Sequence, residues 1–556
     1  MARLLRAAIF MAFFFYAGNA FAAGGTCPLA ANYWDANVKA DENTLVSLSS
    51  LGITSCYYIS KTIGSDTAYD GTQETINGSH GPWAHLPGMP SCTGNCALHT
   101  PAAGEGYILR GGDSWLNSDL GIYWNWGGTS TSPIYIGVDP AWYSGSTWAR
   151  PVFNCQGSPC SNSAKAGQSQ LFINGPAPIG SYVTFDNIEW TGWKQSGGPA
   201  PVTFEASDHI IVENNYFHGW SRASGETLDA GAEIFDAYTA GPTLGAAAVA
   251  GTTFRYNIVD GSDTSKDMMT GVNSAENVYN NVFNYLVVGI HNQLTNVHGN
   301  LVENVVYSYQ TVNGGNHCDA IFMFSALGNT QPFTQYMYNN VVHDTVSGCG
   351  ILWLSTFTTC ATCVGYAFNN VDYNILGFGS ITVGNHLSYG STGTYYVFNN
   401  TLHESGGACI ANSDNGSPGR STTYYGNNYC IGNAGVVCSG GGTTCVNNGT
   451  NLTQTEAQAN RYGYTATEQY AYSPNGTNSP TGGAGTNYSS LCSTIPGICS
   501  DTSYPTYDQT NHVVVMRTLI QRPGIGGGAW DIGAYQFSSS QSQALQAPTG
   551  LTAVVQ

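Results

Sequence analysis

The chain has 556 residues, 70 of them Gly, and only 9 % are charged, with 15 Lys and Arg against 34 Asp and Glu for a net charge of −19. Aromatic residues make up 12 %, which excludes a disordered chain, since such chains are charge-rich and poor in aromatics; the lack of a basic patch excludes nucleic acid as a partner. Gly, Asn, Ser and Thr crowd out the helix formers, so a helical enzyme is excluded as well and a polar, uncharged, β-rich body remains.

In chain order, Arg3 and Arg6 precede an apolar run from Ala7 to Tyr16, and Ala20-Phe21-Ala22 supplies small residues for cleavage. Residues 1–22 therefore read as a secretory signal peptide. The run is shorter than the roughly 20 residues of a membrane span, and no later stretch is apolar enough for one. A secreted, extracellular or cell-surface protein without a membrane span is expected. All 16 Cys follow the cleavage site, and an even number in an exported chain points to disulfides. Pairing sequence neighbours gives Cys27–Cys56, Cys92–Cys96, Cys155–Cys160, Cys318–Cys349, Cys360–Cys363, Cys409–Cys430, Cys438–Cys445 and Cys492–Cys499, one connectivity among many.

Residues 23–180 form an entry region with long loops in which Trp115, Trp124, Trp126, Trp142 and Trp148 cluster; a cap over the end of the body is favoured over a platform for sugar rings. Residues 181–450 carry a repeat: an aromatic or aliphatic stretch, Asn-Asn, an apolar residue, then a polar one. It stands at Asn214-Asn215, Asn280-Asn281, Asn339-Asn340, Asn369-Asn370, Asn399-Asn400 and Asn427-Asn428, with weaker copies at Asn187 and Asn257. The step is 30 residues from Asn340 to Asn370 and again to Asn400. Short period-2 strands without a helical period predict a parallel β-solenoid, in which each Asn stacks on the last and Gly and Asn turn the corners. Residues 451–537 are irregular, and 538–556 form a linker followed by what looks like the first strand of a fibronectin-type-III-like module.

The chain resembles the right-handed parallel β-helix proteins of the pectate-lyase-like superfamily. The resemblance rests on Tyr57-Tyr58-Ile59-Ser60 with Gly64 and Asp66, on Gly81-Pro82-Trp83, on Gly106-Tyr107-Ile108-Leu109-Arg110-Gly111-Gly112, and on Asp531-Ile532-Gly533-Ala534-Tyr535, which is similar to a closing motif of bacterial choice-of-anchor β-helix proteins. It implies an all-β right-handed parallel β-helix with an N-terminal cap and long loops, an exported monomer that acts on or binds polysaccharide, and, as its first enzymatic form, a lyase on acidic glycans with calcium. A non-catalytic glycan-binding or adhesin-type β-helix is the alternative. A glycoside hydrolase is a lesser one, because Asn-Thr-Asp, Asp-Asp and Gly-His-Gly motifs of polygalacturonases are absent.

The strand after each Asn-Asn corner and turn is the natural bed for a ligand. Its copies are expected at 232–236, 266–269, 288–291, 319–322, 350–353 and 380–382, and they place Glu233, Asp236, His291 and Trp353 as substrate-binding candidates. Insertions at 222–250 and 307–317 flank this stretch, as loops that build a binding face do. Asp260, Asp263 and Asp267 in one loop suit a hard cation such as calcium. Lys266 beside them is one of few lysines, and the resemblance permits it, or Arg255, as the base of a β-elimination; a solvated surface turn is the bland alternative. His317 and Asp319, two apart, could act as base and orienter, or His317 could merely cap a turn beside Cys318. The recurring polar column His218, Asp260, Asn284, Glu303, His343 and His403 is assigned to turn stacking.

Overall fold

The structure is a computed structural model that describes residues 24–537 except 29–46, 159, 161–170, 175–179, 196–201, 206–207, 223–232, 237–249, 264–269, 306–318, 326–333, 346–351, 357–362, 376–379, 385–392, 405–406, 414–420, 433–434, 440–442, 467–469 and 475–478. Strands stack in parallel register into three ladders, and the chain visits them in the same order in each coil. One coil runs through Ile321–Ser325 in ladder I, Thr334–Tyr338 in ladder II and Val341–His343 in ladder III, and the next through Leu352–Thr356, Val364–Phe368 and Val371–Ile375. The fold is a right-handed parallel β-helix. Two long strands, Thr270–Tyr279 and Val288–His298, belong to ladders I and II at once.

Each ladder alternates an apolar inward residue with an outward one, as the pleat requires. Along ladder I the inward row Val272, Ile290, Ile321, Leu352, Ile381 and Ile410 is fully buried and in continuous register. The early Trp residues do not form an exposed platform: Trp115 and Trp124, with Trp190, Trp193 and Trp220 further on, fill the interior of the first coils.

The Asn-Asn unit is the corner from ladder II to ladder III. Its first Asn takes a left-handed conformation, φ near 55–57° at Asn214, Asn280, Asn339, Asn369, Asn399 and Asn427, which Asn tolerates better than most residues. Its second Asn is buried, and its Nδ2 donates to the Oδ1 of the next rung. The chain of bonds runs Asn215–Asn257–Asn281–Asn300–Asn340–Asn370–Asn400–Asn428–Asn451, each link 2.9–3.2 Å. The Asn300 rung has Gly299 in the left-handed position instead of an Asn.

Six expected disulfides are present: Cys27–Cys56, Cys92–Cys96, Cys155–Cys160, Cys409–Cys430, Cys438–Cys445 and Cys492–Cys499. Cys363 is also disulfide-bonded, while Cys318, Cys349 and Cys360 lie outside the described residues. No helix among the described residues is long and apolar enough to cross a membrane.

The irregular segment after Gln454 folds back along the outside of the coils. Ile495, Ile498 and Trp530 pack on Phe368 and Phe398 of ladder II, and Tyr504, Val514, Ala534 and Tyr535 cover Ile258, Val282, Leu301, Val341 and Val371 of ladder III. Buried Arg522 pins it by donating to Ser500 O, Asn369 Oδ1, Gly533 O and Ala534 O. The Asn corner is thereby sealed, and ladder I lies on the other side of the coil.

Candidate functional site

Ladder I begins, in the described coils, where the sequence placed its binding strands: Glu233–Asp236, Val288 onward, Ile321–Ser325, Leu352–Thr356 and Ile381–Gly384. The strand expected at 266–269 lies outside the described residues, which resume in the strand Thr270–Tyr279. The register carries Asp236 onto Asn273, Asn273 onto His291, His291 onto Phe322, Phe322 onto Trp353 and Trp353 onto Thr382. These six positions share the outward row, because each is one residue past a buried member of the inward row. Three of the four substrate-binding candidates, Asp236, His291 and Trp353, thus fall on one line. Glu233 stands three residues earlier in its strand, in register with Thr270.

At rungs about 4.8 Å apart, the line spans ~24 Å, a length suited to a polymer and excessive for a small molecule. Asp236, Asn273 and His291 come first, the aromatic pair Phe322 and Trp353 follows, and Thr382 ends the line. The His291 ring lies 5.2 Å from Phe322, and Phe322 lies 5.1 Å from Trp353. Phe322 and Trp353 are 4 % and 9 % exposed, whereas His291 is only half-buried.

Asp319 stands just before the strand Ile321–Ser325 rather than within it, and its carbonyl accepts from Gly289 N at 3.2 Å. At 2 % exposure its carboxyl is enclosed, and burial pushes its pKa up to about 7. That value is matched to proton transfer near neutrality. His317, Lys266 and Asp267 lie outside the described residues.

The acidic loop belongs to another ladder. Asp260 ends the ladder III strand Ile258–Asp260. Its Oδ1 accepts from Ser262 N at 2.9 Å and Asn284 Nδ2 at 3.0 Å, and its Oδ2 from the Tyr507 hydroxyl at 2.8 Å. Asp263 accepts from Gly219 N at 3.1 Å and pairs with His218 Nδ1 at 2.9 Å. No three His, Cys, Asp or Glu among the described residues are grouped to hold a metal ion. Of the expected calcium set, the two described carboxylates accept from protein donors, and Asp267 lies outside the described residues. Arg255 is likewise engaged, with Glu213 at 2.6 Å and the Tyr279 hydroxyl at 2.7 Å.

The polar column is a real register row: His218, Asp260, Asn284, Glu303 and His343 pair in succession. Both His218 nitrogens face carboxylates, Glu189 at 3.0 Å and Asp263 at 2.9 Å. Burial works against its charged form, but these two bonds prevail and raise its pKa to about 9. Glu303 is raised above the ordinary carboxyl range by burial, against the pull of His343. Tyr216 is sandwiched between His218 and His512 at 4.1 and 4.0 Å, which joins the column to the returning segment.

A second charged network lies in the entry region and escaped the sequence analysis. His85 pairs with Asp66 at 2.6 Å, and Lys61 lies 2.9 Å from both His85 Nε2 and Asp119 Oδ2. Asp66 also accepts from Ala84 N and His85 N, so the Asp of the entry motif ties down the residues after Pro82-Trp83. Its spacing to that dipeptide was the signal that could have found it.

By sequence the chain matches no protein-family model and no curated protein. Among solved structures it is similar to the pectate lyase Pel9A, at 13 % identity and TM-score 0.41 over 87 % of this chain and 96 % of that one. It is similar to a rhamnogalacturonan lyase at 13 % identity and TM-score 0.35 over 72 % and 88 %, and to XylC in complex with xylose at 13 % and 0.36 over 68 % and 69 %.

Proposed function

We propose that the protein is an exported polysaccharide-acting β-helix that seats a glycan chain along the outward row of ladder I. The observation that carries this is the register line Asp236–Asn273–His291–Phe322–Trp353–Thr382, in which hydrogen-bonding groups adjoin an aromatic pair over six rungs. Sugars have polar edges and apolar faces, and such a line offers a partner for each. Cleavage by β-elimination is the proposed chemistry. Lys266 or His317 would take the proton next to the uronate carboxyl as a C=C bond forms and the glycosidic C–O bond breaks, and the departing oxygen would take a proton from water or from Asp319, which its raised pKa keeps partly protonated near neutrality. No step is routed through calcium.

A second proposal, glycan binding without turnover, is favoured by one observation: His291 is the single titratable side chain among the described side chains of the outward row. Incubation with a panel of uronic-acid polymers, with calcium and with chelator, separates the two. Absorbance of an unsaturated product that is lost in Lys266→Ala or His317→Ala supports the lyase. Reducing ends without unsaturation select a hydrolase. Binding without product selects the non-catalytic protein, and neither binding nor product on any polymer overturns the proposal.

A further inference from the structure

Ladder II carries an outward feature of a different kind. Tyr336, Tyr366, Tyr396 and Tyr424 occupy one register position on four successive strands, Thr334–Tyr338, Val364–Phe368, Thr394–Phe398 and Thr422–Gly426. Their rings stack at 5.1, 5.0 and 5.2 Å with interplanar angles of 8°, 14° and 13°. Stacking along the helix axis turns the ring edges outward, and all four side chains are half-buried at the rim of the segment that seals the Asn corner. None of the four hydroxyls is hydrogen-bonded to any described residue. The row beside them places Thr394 and Thr422 in the same repeat, also half-buried and with hydroxyls free of described partners.

These four strands contain no charged residue, in a chain whose net charge is −19. The internal needs of the fold explain the stack, because aromatic pairs in this geometry are attractive. They do not explain why every hydroxyl is left facing out. A phenol or a threonine hydroxyl both donates and accepts, and here such groups recur at the spacing of one strand per rung.

We propose that this face is a second glycan-binding surface, for a neutral, extended 1,4-linked polysaccharide lying parallel to the helix axis, so that successive sugar hydroxyls meet successive Tyr and Thr hydroxyls. The uncharged face carries no cation to attract a polyuronate, and the overall negative charge repels one, so neutrality of the ligand is part of the assignment. The surface is separate from ladder I and does not depend on cleavage there: it would hold the protein on a matrix.

Depletion from solution by microcrystalline cellulose and by insoluble xylan tests it, with polygalacturonate gel as the contrasting polymer and light scattering to detect self-association. The wild type is expected on at least one neutral polymer, and any retention on polygalacturonate belongs to ladder I and should survive the changes on ladder II. Tyr366→Phe with Tyr396→Phe keeps the stack and removes two hydroxyls, and is expected to weaken retention about tenfold; the same two positions changed to Ala should abolish it, with thermal unfolding confirming the fold. His291→Ala, on ladder I, should be retained as wild type is. Absence of wild-type retention on both neutral polymers, equal retention of the double Phe variant on them, loss of polygalacturonate retention in that variant, or a self-association that the double Phe variant loses would each overturn the assignment. Because the readout is retention and not product, its failure is distinguishable from failure of the cleavage proposal.

Discussion

The corner between ladders II and III and the outer row of ladder I are built from the same coils yet treated oppositely. At the corner the second Asn of each rung donates to the second Asn of the next, and a returning segment of the chain covers the outside through Arg522 and an apolar cluster. On ladder I the row changes chemistry from rung to rung, Asn273 to His291 to Phe322 to Trp353, and the connections around it vary in length. Uniformity marks where the solenoid is held together, and variation marks the face that differs from coil to coil.

That contrast can be broken first at the corner. Arg522→Ala removes the buried guanidinium from the five oxygens it serves, those of Ser500, Asp531, Gly533, Ala534 and the Asn369 side chain, so it should cost about 3–5 kcal/mol of stability by denaturant unfolding. Asn340→Ala deletes the acceptor for both Asn300 N and Asn300 Nδ2 and the donor to Val297 O, with an expected loss of about 2–4 kcal/mol. A loss below ~1 kcal/mol in both would mean the sealed corner is not what holds the coils.

On ladder I the expected sign is reversed. Asp319 has its folded pKa raised to about 7, so its neutral form is preferred and its contribution is present below the unfolded value near 4 and lost as pH rises through 7. Asp319→Asn should therefore raise stability at pH 8 by about 2–3 kcal/mol, and by little at pH 4, while abolishing turnover if the carboxyl holds the proton. Thermal unfolding at the two pH values reads the sign directly.

The column on ladder III sharpens the comparison with a smaller effect. His218 has its folded pKa raised to about 9, so its contribution is full below the unfolded value near 6.5 and disappears as pH rises through 9. His218→Gln should lower stability by about 1–2 kcal/mol at pH 6 and leave it nearly unchanged at pH 10. Smallest of all, millimolar calcium is expected to leave the Tm unmoved, since Asp260 and Asp263 already serve Tyr507, Asn284, Ser262, Gly219 and His218; a rise of several degrees would support a cation site in this loop.

The Asn-Asn units made the corner legible because a left-handed Asn followed by a stacking Asn is a local requirement repeated every coil. The rungs at Asn300 and Asn451 escaped because Gly299 and Thr450 stand where the first Asn would be. The strands of ladder I were legible from their alternation, and with them three members of the outward row. The returning segment was not: its anchors join positions such as Asn369 to Ser500 and Arg150 to His512, 131 and 362 residues apart, with no shared period. The Lys61–His85–Asp66 network depends on side-chain convergence across a loop, and the enclosure of Asp319 on packing around it, neither of which leaves a periodic trace.

The central claim is that ladder I seats the glycan. Hydrogen–deuterium exchange with the polymer that the protein turns over or binds tests it most directly, because exchange is read strand by strand. Slowed exchange at 270–274, 288–292, 321–325 and 352–356 is the expected result; slowed exchange confined to ladder III, or none on any ladder I strand, would contradict it.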